Sequence, residues 1–179
     1  MSELLEGRSI FLIGFMGAGK STVAPILANL FDVDWMDTDL LVEQMARKTI
    51  PEIFDLHGEE RFRKLEKQAV ERAAERDEQI ISVGGGAPIE DDNWAVMNRE
   101  GIPCYLKLSP REILSRIDNP EERPLLANHN HSDLLTRITD LLERREDRYE
   151  EAEVVVGCDG DTPQGVAKKV FTEVKSKLK

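Results

Sequence analysis

Short apolar segments alternate along this chain with longer stretches of helical character. The apolar segments predict strands at residues 9–15, 32–37, 79–85, 104–108 and 153–158. The stretches between and after them predict helices near residues 20–30, 40–48, 59–76, 91–99, 110–117, 132–148 and 163–177. Because strands that alternate with helices form parallel sheets covered on both faces, the pattern predicts an α/β fold.

The length and composition fit a single globular domain. The chain has 179 residues, of which 40% are hydrophobic and 33% are charged, so it can bury a substantial core. No segment approaches the roughly 20 apolar residues of a membrane span, and residues 1–8 are too short and acidic for a signal peptide. We therefore expect a cytoplasmic protein with no membrane partner. Cys104 and Cys158 lie at the beginning of one predicted strand and the end of another, which predicts two free thiols.

The charge balance limits the possible partners. The 24 lysines and arginines against 35 aspartates and glutamates give a net charge of −11. A general nucleic-acid-binding surface needs a basic face, so we expect no nucleic-acid partner, and any anionic ligand must be met locally. Basic residues do cluster at residues 61–64, around Arg116 and Arg123, and at residues 144–145. Each cluster by itself could also be a solvated helix face with ion pairs.

A glycine-rich segment lies where the first predicted strand meets the first predicted helix. Residues 14–21, GFMGAGKS, fit the pattern G-x-x-x-x-G-K-[ST], in which bare backbone N–H groups and a helix N-terminus surround a phosphate chain. Lys20 would bridge the terminal phosphates, and the Ser21 hydroxyl would ligate Mg²⁺. A turn needed only for structure requires one glycine, whereas this loop has three. The motif therefore predicts nucleotide binding.

Two aspartates end the second predicted strand. Asp37 and Asp39 are two positions apart, which places both on one side of an extended segment at the carboxyl edge of the sheet. Carboxylates that face the same way repel each other unless a cation or a substrate hydroxyl binds to one of them. A helix N-cap is the alternative, and it would account for one of the two aspartates.

Three later features suggest a second ligand. Arg63 and Glu66 are adjacent on a predicted helix, where the acid can hold the guanidinium in position. Three consecutive glycines at residues 84–86 are more than a turn requires, so we expect a ligand close to this backbone. Residues 118–133 are either a surface loop or a mobile lid, and their length in a compact domain favours the lid. His129 and His131 in this segment are interpreted as solvated loop histidines rather than as a metal site.

These motifs together resemble the shikimate kinase family. The likeness is carried by GFMGAGKST at residues 14–22, DTD at 37–39, IFDLHGEERFRKLE at 53–66, GGGA at 84–87, RPLL at 123–126 and the RxxxY of Arg145 and Tyr149. The motifs follow the family's order and similar spacing from about residue 9 to residue 172. Many nucleotide enzymes share the phosphate loop, whereas the combination is much more specific.

The resemblance implies a fold and an activity. The fold would be the three-layer α/β/α architecture of P-loop kinases, with a five-stranded parallel sheet in the order 2-3-1-4-5. Residues 1–179 would form one kinase domain, with a substrate-binding segment at about 38–66 and a lid at about 117–133. The enzyme would use Mg²⁺ and act as a monomer. It would transfer the γ-phosphoryl group of ATP to the 3-hydroxyl of shikimate, giving shikimate 3-phosphate and ADP, in aromatic amino acid biosynthesis.

The resemblance also implies a role for each motif residue. The residues expected to bind ATP are Gly17, Ala18, Gly19, Lys20, Ser21, Thr22, Arg116, Arg123 and Pro163. Those expected to bind shikimate are Asp39, Arg63, Gly84, Gly85, Gly86 and Arg145, and Mg²⁺ is assigned to Ser21 and, through water, to Asp37. Catalysis is assigned to Lys20, Asp39 and Arg123. Asp39 would favour loss of the proton from the attacking hydroxyl, and Arg123 would neutralise the transferring phosphoryl group.

Some alternatives stay open. Residues 144–152 lack the proline and leucine of the family pattern before Tyr149, so the substrate contact is assigned to Arg145 with Arg144 as the alternative. A kinase of the same architecture for another small acceptor, such as gluconate, would share the phosphate loop but would not need the later motifs. A catalytically silent nucleotide-binding regulator is disfavoured, because the reactive residues are all present. The sequence does not identify the formal proton acceptor.

Overall fold

The computed structural model describes residues 5–127 and 131–178. In the predicted lid, His129 and its neighbours 128 and 130 lie outside the described residues, and so does the side chain of His131. The strands are β1 Ser9–Ile13, β2 Asp34–Asp37, β3 Gln79–Ser82, β4 Gly101–Lys107 and β5 Val154–Gly157. The helices are α1 Lys20–Phe31, α2 Thr38–Ala46, α3 Ile50–Ala73, α4 Asp91–Glu100, α5 Pro110–Ser115, α6 His131–Glu150 and α7 Pro163–Lys177. Two 3₁₀ turns occupy Ala87–Ile89 and Pro120–Glu122.

The strands form one parallel sheet in the order β2-β3-β1-β4-β5. In the central strand β1, Phe11 pairs with Ile81 of β3 on one side and with Pro103 of β4 on the other. Every residue of β1 and β3 is buried, because helices lie on both sides of the sheet. The predicted fold class and strand order are therefore confirmed, and the carboxyl ends of β1, β2 and β3 meet at one edge of the sheet.

The apolar residues form two separate clusters. The larger cluster surrounds the sheet and includes residues from every strand except β2. The smaller cluster lies between α2 and α3 and consists of Val42, Ile53, Phe62, Leu65 and Ala69. The α2–α3 pair therefore has an apolar core of its own, which holds the side chains of these two helices together as one unit beside the sheet edge.

Helix α3 begins earlier than the sequence pattern predicts. It starts at Ile50 rather than near residue 59, because Thr49 and Glu52 form a capping box: Glu52 N–H donates to Thr49 Oγ1 at 3.4 Å, and Thr49 N–H donates to Glu52 Oε2 at 2.8 Å. Gly58 lies inside the helix with φ 75° and ψ 174°, which kinks it. The prediction began after this glycine because glycine is a poor helix former.

Cys104 and Cys158 are free and buried, as predicted. Burial raises the pKa of the Cys158 thiol to about 11, which keeps this side chain protonated and unreactive at neutral pH. Among the described helices, none combines the length and the apolar character that a membrane crossing requires.

Candidate active site

Two adjoining cavities open at the carboxyl edge of the sheet. The α3 cavity has a volume of about 660 Å³ and lies between α2, α3, the 84–86 segment and residues 116–125. The loop cavity has a volume of about 630 Å³ and follows residues 16–22 toward Pro163. The two cavities share Met16, Asp39, Gly85, Arg116 and Arg123. Ligands bound in the two cavities would therefore contact each other beside these shared residues.

The motif residues divide between these cavities as their assigned roles require. Among the residues assigned to ATP, all but Ala18 line the loop cavity, whereas the Ala18 side chain is buried in the core. Every residue assigned to shikimate lines the α3 cavity: Asp39, Arg63, Gly84, Gly85, Gly86 and Arg145. Distant parts of the chain are thus brought together where the sequence pattern expects a site.

The loop between β1 and α1 needs its glycines for backbone conformation. Gly17 and Gly19 have φ values of 80° and 86°, in the left-handed region that side chains disfavour. Gly19 is the N-cap of α1, so Lys20 and Ser21 are the first residues of the helix and their N–H groups remain unpaired within it. The predicted arrangement of strand, bare loop and helix N-terminus is present.

Lys20 is folded back onto this loop rather than extended into the cavity. Its Nζ donates to Gly14 O at 2.8 Å and to Phe15 O at 2.9 Å. Burial lowers the pKa of Lys20 to about 8, an effect that the charges of Asp39 and Asp37 partly offset. The amine is thus already removed from water and can strongly attract a phosphate that replaces a carbonyl partner.

Asp37 has two functions in the structure. Its Oδ1 accepts hydrogen bonds from Asp39 N–H at 2.9 Å and Leu40 N–H at 3.3 Å, which makes it the N-cap of α2. Its Oδ2 accepts a 2.6 Å hydrogen bond from the Ser21 hydroxyl. The N-cap alternative is therefore correct for Asp37, and the same carboxylate also faces the phosphate loop.

Asp39 does not lie on an extended strand, as the spacing had suggested. It lies in the first turn of α2, so the DTD motif spans the boundary between β2 and α2. The side chain nevertheless lines both cavities. Burial and, to a smaller extent, the charge of Asp37 raise the pKa of Asp39 to about 6, although the Lys20 charge opposes this rise.

Arg63 is held by acids on both of its neighbouring helical turns. Its Nη1 donates to Glu66 Oε2 at 2.7 Å, as the spacing predicted, and its Nη2 donates to Glu59 Oε1 at 3.0 Å. The Glu66 side chain is only 2% exposed. Burial raises the pKa of Glu66 to about 7, although the Arg63 charge opposes this rise. These two bonds fix the direction of the guanidinium at the wall of the α3 cavity.

The three glycines at residues 84–86 make room for side chains of the protein itself. A Cβ on Gly84 would lie 2.6 Å from Asp39 Oδ1 and 2.9 Å from Glu66 Oε1. A Cβ on Gly86 would collide with the guanidinium of Arg63. The site's own charged groups therefore lie against this backbone, beside the place where the sequence predicts a ligand.

Arg145 and Arg144 occupy different environments. Arg145 is 8% exposed and lines the α3 cavity, with its guanidinium carbon 5.6 Å from the centre of the Phe15 ring. Its Nη1 is buried and has no hydrogen-bond partner within the described part of the chain. Arg144 is exposed to solvent. Of the two, Arg145 is therefore the one placed to contact a ligand in the α3 cavity.

The remaining basic residues approach the loop cavity from α5 and the segment after it. Arg116 donates from Nε and Nη2 to Glu112 Oε1, at 3.0 and 2.8 Å, and from Nη2 to Cys158 O at 3.2 Å. Arg123 is half-buried and lines both cavities. Arg116 is thus fixed by local partners, whereas Arg123 lies where the two cavities meet.

The predicted lid is anchored at its RPLL motif. Leu126 is 1% exposed and belongs to the main core, and Arg137 Nε of α6 donates to Leu125 O at 3.2 Å. The sequence predicted a mobile lid over residues 118–133. The apolar pair after Arg123 instead fixes the carboxyl side of this residue to the body of the protein.

The α3 cavity is also lined by several residues to which the sequence assigns no role. They are Met16, Glu43, Thr49, Ile50, Pro51, Phe54 and Phe62. Glu43 is one helical turn after Asp39, and its Oε1 accepts a 2.9 Å hydrogen bond from Ile50 N–H, which joins α2 to α3. Its spacing from Asp39 on the same helix face was the available signal.

Comparison with known proteins gives a consistent result. A family model described as shikimate kinase matches residues 16–179. A shikimate kinase of Caldanaerobacter subterraneus subsp. tengcongensis is 40% identical over 164 residues, covering 92% of this chain and 94% of that protein. The structure of shikimate kinase from Acinetobacter baumannii in complex with shikimate has a TM-score of 0.90 at 30% identity and covers 95% of this chain and 94% of its own.

A second kind of kinase shares the fold. A gluconokinase from Sinorhizobium meliloti 1021 has a TM-score of 0.58 at 16% identity, over 96% of this chain and 93% of its own. At this identity the similarity is one of fold alone, and it does not distinguish between acceptors.

Proposed function

This chain belongs to the shikimate kinase family, and from that premise we propose how its two cavities carry out the reaction. The enzyme transfers the γ-phosphoryl group of ATP to the 3-hydroxyl of shikimate and forms shikimate 3-phosphate and ADP. ATP occupies the loop cavity and shikimate the α3 cavity. The reacting groups meet beside the shared residues Asp39 and Arg123.

The observation that carries this assignment is the unpaired nitrogen of Arg145. A buried guanidinium nitrogen without an acceptor favours a bound anion, because an unpaired buried donor is unstable. Arg63 lines the same cavity, and a planar guanidinium can bind a carboxylate through two parallel hydrogen bonds. Shikimate carries one carboxylate and several hydroxyls, so Arg63 and Arg145 bind its acid group.

The positive charge and the free backbone N–H groups of the loop cavity suit a nucleoside triphosphate. The first N–H groups of α1 and the positive end of its helix dipole face the cavity at Lys20 and Ser21. Lys20 binds the terminal phosphates after exchanging a carbonyl partner for a phosphate oxygen. Arg116 lies against the adenine, and Pro163 at the start of α7 borders the same end of the cavity.

Ser21 and Asp37 fit a magnesium ion. Their oxygens lie 2.6 Å apart beside the phosphate loop, and hydroxyl and carboxylate oxygens are the hard ligands that Mg²⁺ prefers. Mg²⁺ commonly keeps several waters and binds proteins through only one or two groups, which agrees with so small a donor set. When bound, Mg²⁺ neutralises phosphate charge during transfer.

The protein's contribution to the reaction is alignment and charge neutralisation. Asp39 accepts a hydrogen bond from the attacking hydroxyl and favours loss of its proton, because its carboxylate reaches both cavities. Arg123 and Lys20 stabilise the negative charge that develops on the transferring phosphoryl group. Gly84, Gly85 and Gly86 leave the backbone open to the substrate ring.

We also propose a monomeric, cytoplasmic enzyme with a lid formed by residues 117–127 and the segment that follows. Leu126 is buried in the core and anchors the described part of the lid at this residue. Closure over the nucleotide would bring Arg123 to its working position.

An acceptor panel tests the function directly. We expect ADP release with MgATP and shikimate, and at least tenfold lower kcat/KM with gluconate or nucleoside monophosphates, because gluconate holds its carboxylate and hydroxyls on an open chain and nucleoside monophosphates have no carboxylate. A coupled ADP-release assay measures each acceptor at saturating ATP. No turnover of shikimate by the folded protein would overturn the proposal, and faster turnover of gluconate would favour the alternative kinase.

Replacing Arg123 tests its assigned role. Arg123→Ala should lower kcat by about 10²-fold, because the side chain stabilises charge that develops only in the transition state. Shikimate binding without nucleotide should change less than twofold, as measured by calorimetry. Arg111→Ala is the control, since Arg111 is exposed on α5 and lines neither cavity. A similar loss of kcat in both variants would contradict the role of Arg123.

A further inference from the structure

Two buried tyrosines are in contact behind the α3 cavity. Tyr149 of α6 and Tyr105 of β4 are 0% and 1% exposed, and their ring centres are 5.0 Å apart at an angle of 40°. Their hydroxyls differ. The Tyr149 hydroxyl donates a 2.5 Å hydrogen bond to Gly85 O, whereas the Tyr105 hydroxyl has no hydrogen-bond partner among the described residues.

The hydrogen bond of Tyr149 falls where the glycine segment lies between the phosphate loop and Arg145. A Cβ added to Gly85 would be 3.3 Å from both Gly14 O and Met16 N, and 3.6 Å from Arg145 Nη1. Gly85 also lines both cavities. The position of its backbone therefore affects the space between the phosphate loop and the guanidinium of Arg145.

Arg145 lies one helical turn before Tyr149, on the same face of α6. Burial raises the pKa of the Tyr149 hydroxyl, and the charge of Arg145 beside it offsets part of this rise. The hydroxyl is thus within electrostatic reach of the guanidinium while it donates to Gly85. The Tyr149 side chain thus lies beside Gly85 and Arg145, both of which are assigned to the acceptor.

We propose that Tyr149 is a positioning residue for the acceptor, whose hydroxyl fixes Gly85 and orients Arg145 toward the α3 cavity. This inference rests on the proposed function, because it takes shikimate as the occupant of that cavity. The phosphate loop does not depend on this hydroxyl. Its own contacts hold it, including Ala18 N–H to Phe15 O at 3.1 Å and Lys20 Nζ to Gly14 O at 2.8 Å.

Tyr149→Phe tests the proposal by removing the hydroxyl and keeping the ring. We expect the KM for shikimate to rise about tenfold, which is the effect of losing roughly one hydrogen bond to a buried carbonyl. The KM for ATP should change less than twofold. Lower stability would reduce the amount of folded enzyme and so the apparent kcat, but it would not raise the KM for one substrate alone.

Tyr105→Phe is the matched control, since it removes a hydroxyl without a described partner from the neighbouring ring. Both KM values should stay within twofold of the parent. An acceptor-specific rise in Tyr149→Phe alone supports the positioning role. Equal changes in the two variants, equal rises in both KM values, or a rise below twofold would overturn it.

Calorimetry of shikimate binding without ATP separates this inference from the proposed function. Weaker binding in Tyr149→Phe than in the parent supports the role of Tyr149 even if turnover is too slow to measure. Equal binding overturns it. Absence of both shikimate binding and shikimate turnover in the parent protein would reject the proposed function, and the inference with it.

Discussion

Replacing Lys20 by methionine should lower kcat by about 10³-fold and leave the protein folded. The amine already lies out of water against Gly14 O and Phe15 O, so its attraction to the terminal phosphates is strong once they bind. Methionine matches the length of the side chain and carries no charge. The two carbonyls lose one donor, so we expect the free energy of unfolding to change by about 1 kcal/mol.

The assay for this variant combines kcat from ADP release with a thermal melting curve. Lys168→Met is the control, because Lys168 is exposed on α7 and lines neither cavity. The control should keep kcat within twofold of the parent. Activity of Lys20→Met within a few-fold of the parent would contradict the assigned role.

Asp39→Asn should reduce kcat by about 10³-fold while ATP binding persists. Asparagine keeps the size of the side chain but removes the negative charge that favours proton loss from the shikimate hydroxyl. Burial, together with the charge of Asp37, raises the pKa of the native carboxyl to about 6, so the asparagine also removes a charge that this site disfavours. We therefore expect the melting temperature to hold or rise, which separates the loss of kcat from loss of the fold.

Asp37→Asn is the informative partner of this variant. The new Oδ1 can still accept the N–H groups of Asp39 and Leu40, so α2 keeps its N-cap. The negative charge beside Ser21 is lost, and an amide nitrogen, which donates, replaces the Oδ2 that accepts from the Ser21 hydroxyl. The Mg²⁺ concentration needed for half-maximal activity should therefore rise. Titration of activity with Mg²⁺ measures this directly. Equal effects of the two substitutions on the Mg²⁺ requirement would reject the division between metal binding and proton removal.

The fold could be predicted because its strands are short apolar segments with clear boundaries. All five strands and all seven main helices occur where the pattern placed them. The errors lie at boundaries. The sequence pattern missed the first two turns of α3 because Gly58 interrupts it, although the capping box of Thr49 and Glu52 marks the true beginning of the helix.

The candidate site was predicted through motifs rather than through geometry. The resemblance selected residues from the 14–22 segment, α2, α3 and α6, and the structure brings them to one sheet edge. The spacing offered an N-cap role for one of the two aspartates without saying which, and it did not indicate the direction of the Lys20 side chain. Asp37 became an N-cap, and Lys20 folded onto carbonyls, because hydrogen bonds to neighbouring backbone groups determine side-chain direction.

Contacts between distant segments were the part that sequence could not supply. Tyr149 belongs to a quoted motif, yet its bond to Gly85 joins residues 64 positions apart. The packing of Leu126 into the core likewise depends on α6 and the sheet, so composition alone suggested a freer lid. Such contacts follow from tertiary packing, which local pattern does not encode.

The crowding around Gly84 and Gly86 has a consequence for inhibitors. A compound that binds against this segment contacts main-chain atoms, which no amino-acid substitution removes. Even the smallest added side chain would displace Asp39 and Glu66 at Gly84, or Arg63 at Gly86. Substitution at either position would therefore disturb side chains that we propose to bind the acceptor, so resistance mutations are expected at other residues that line the α3 cavity.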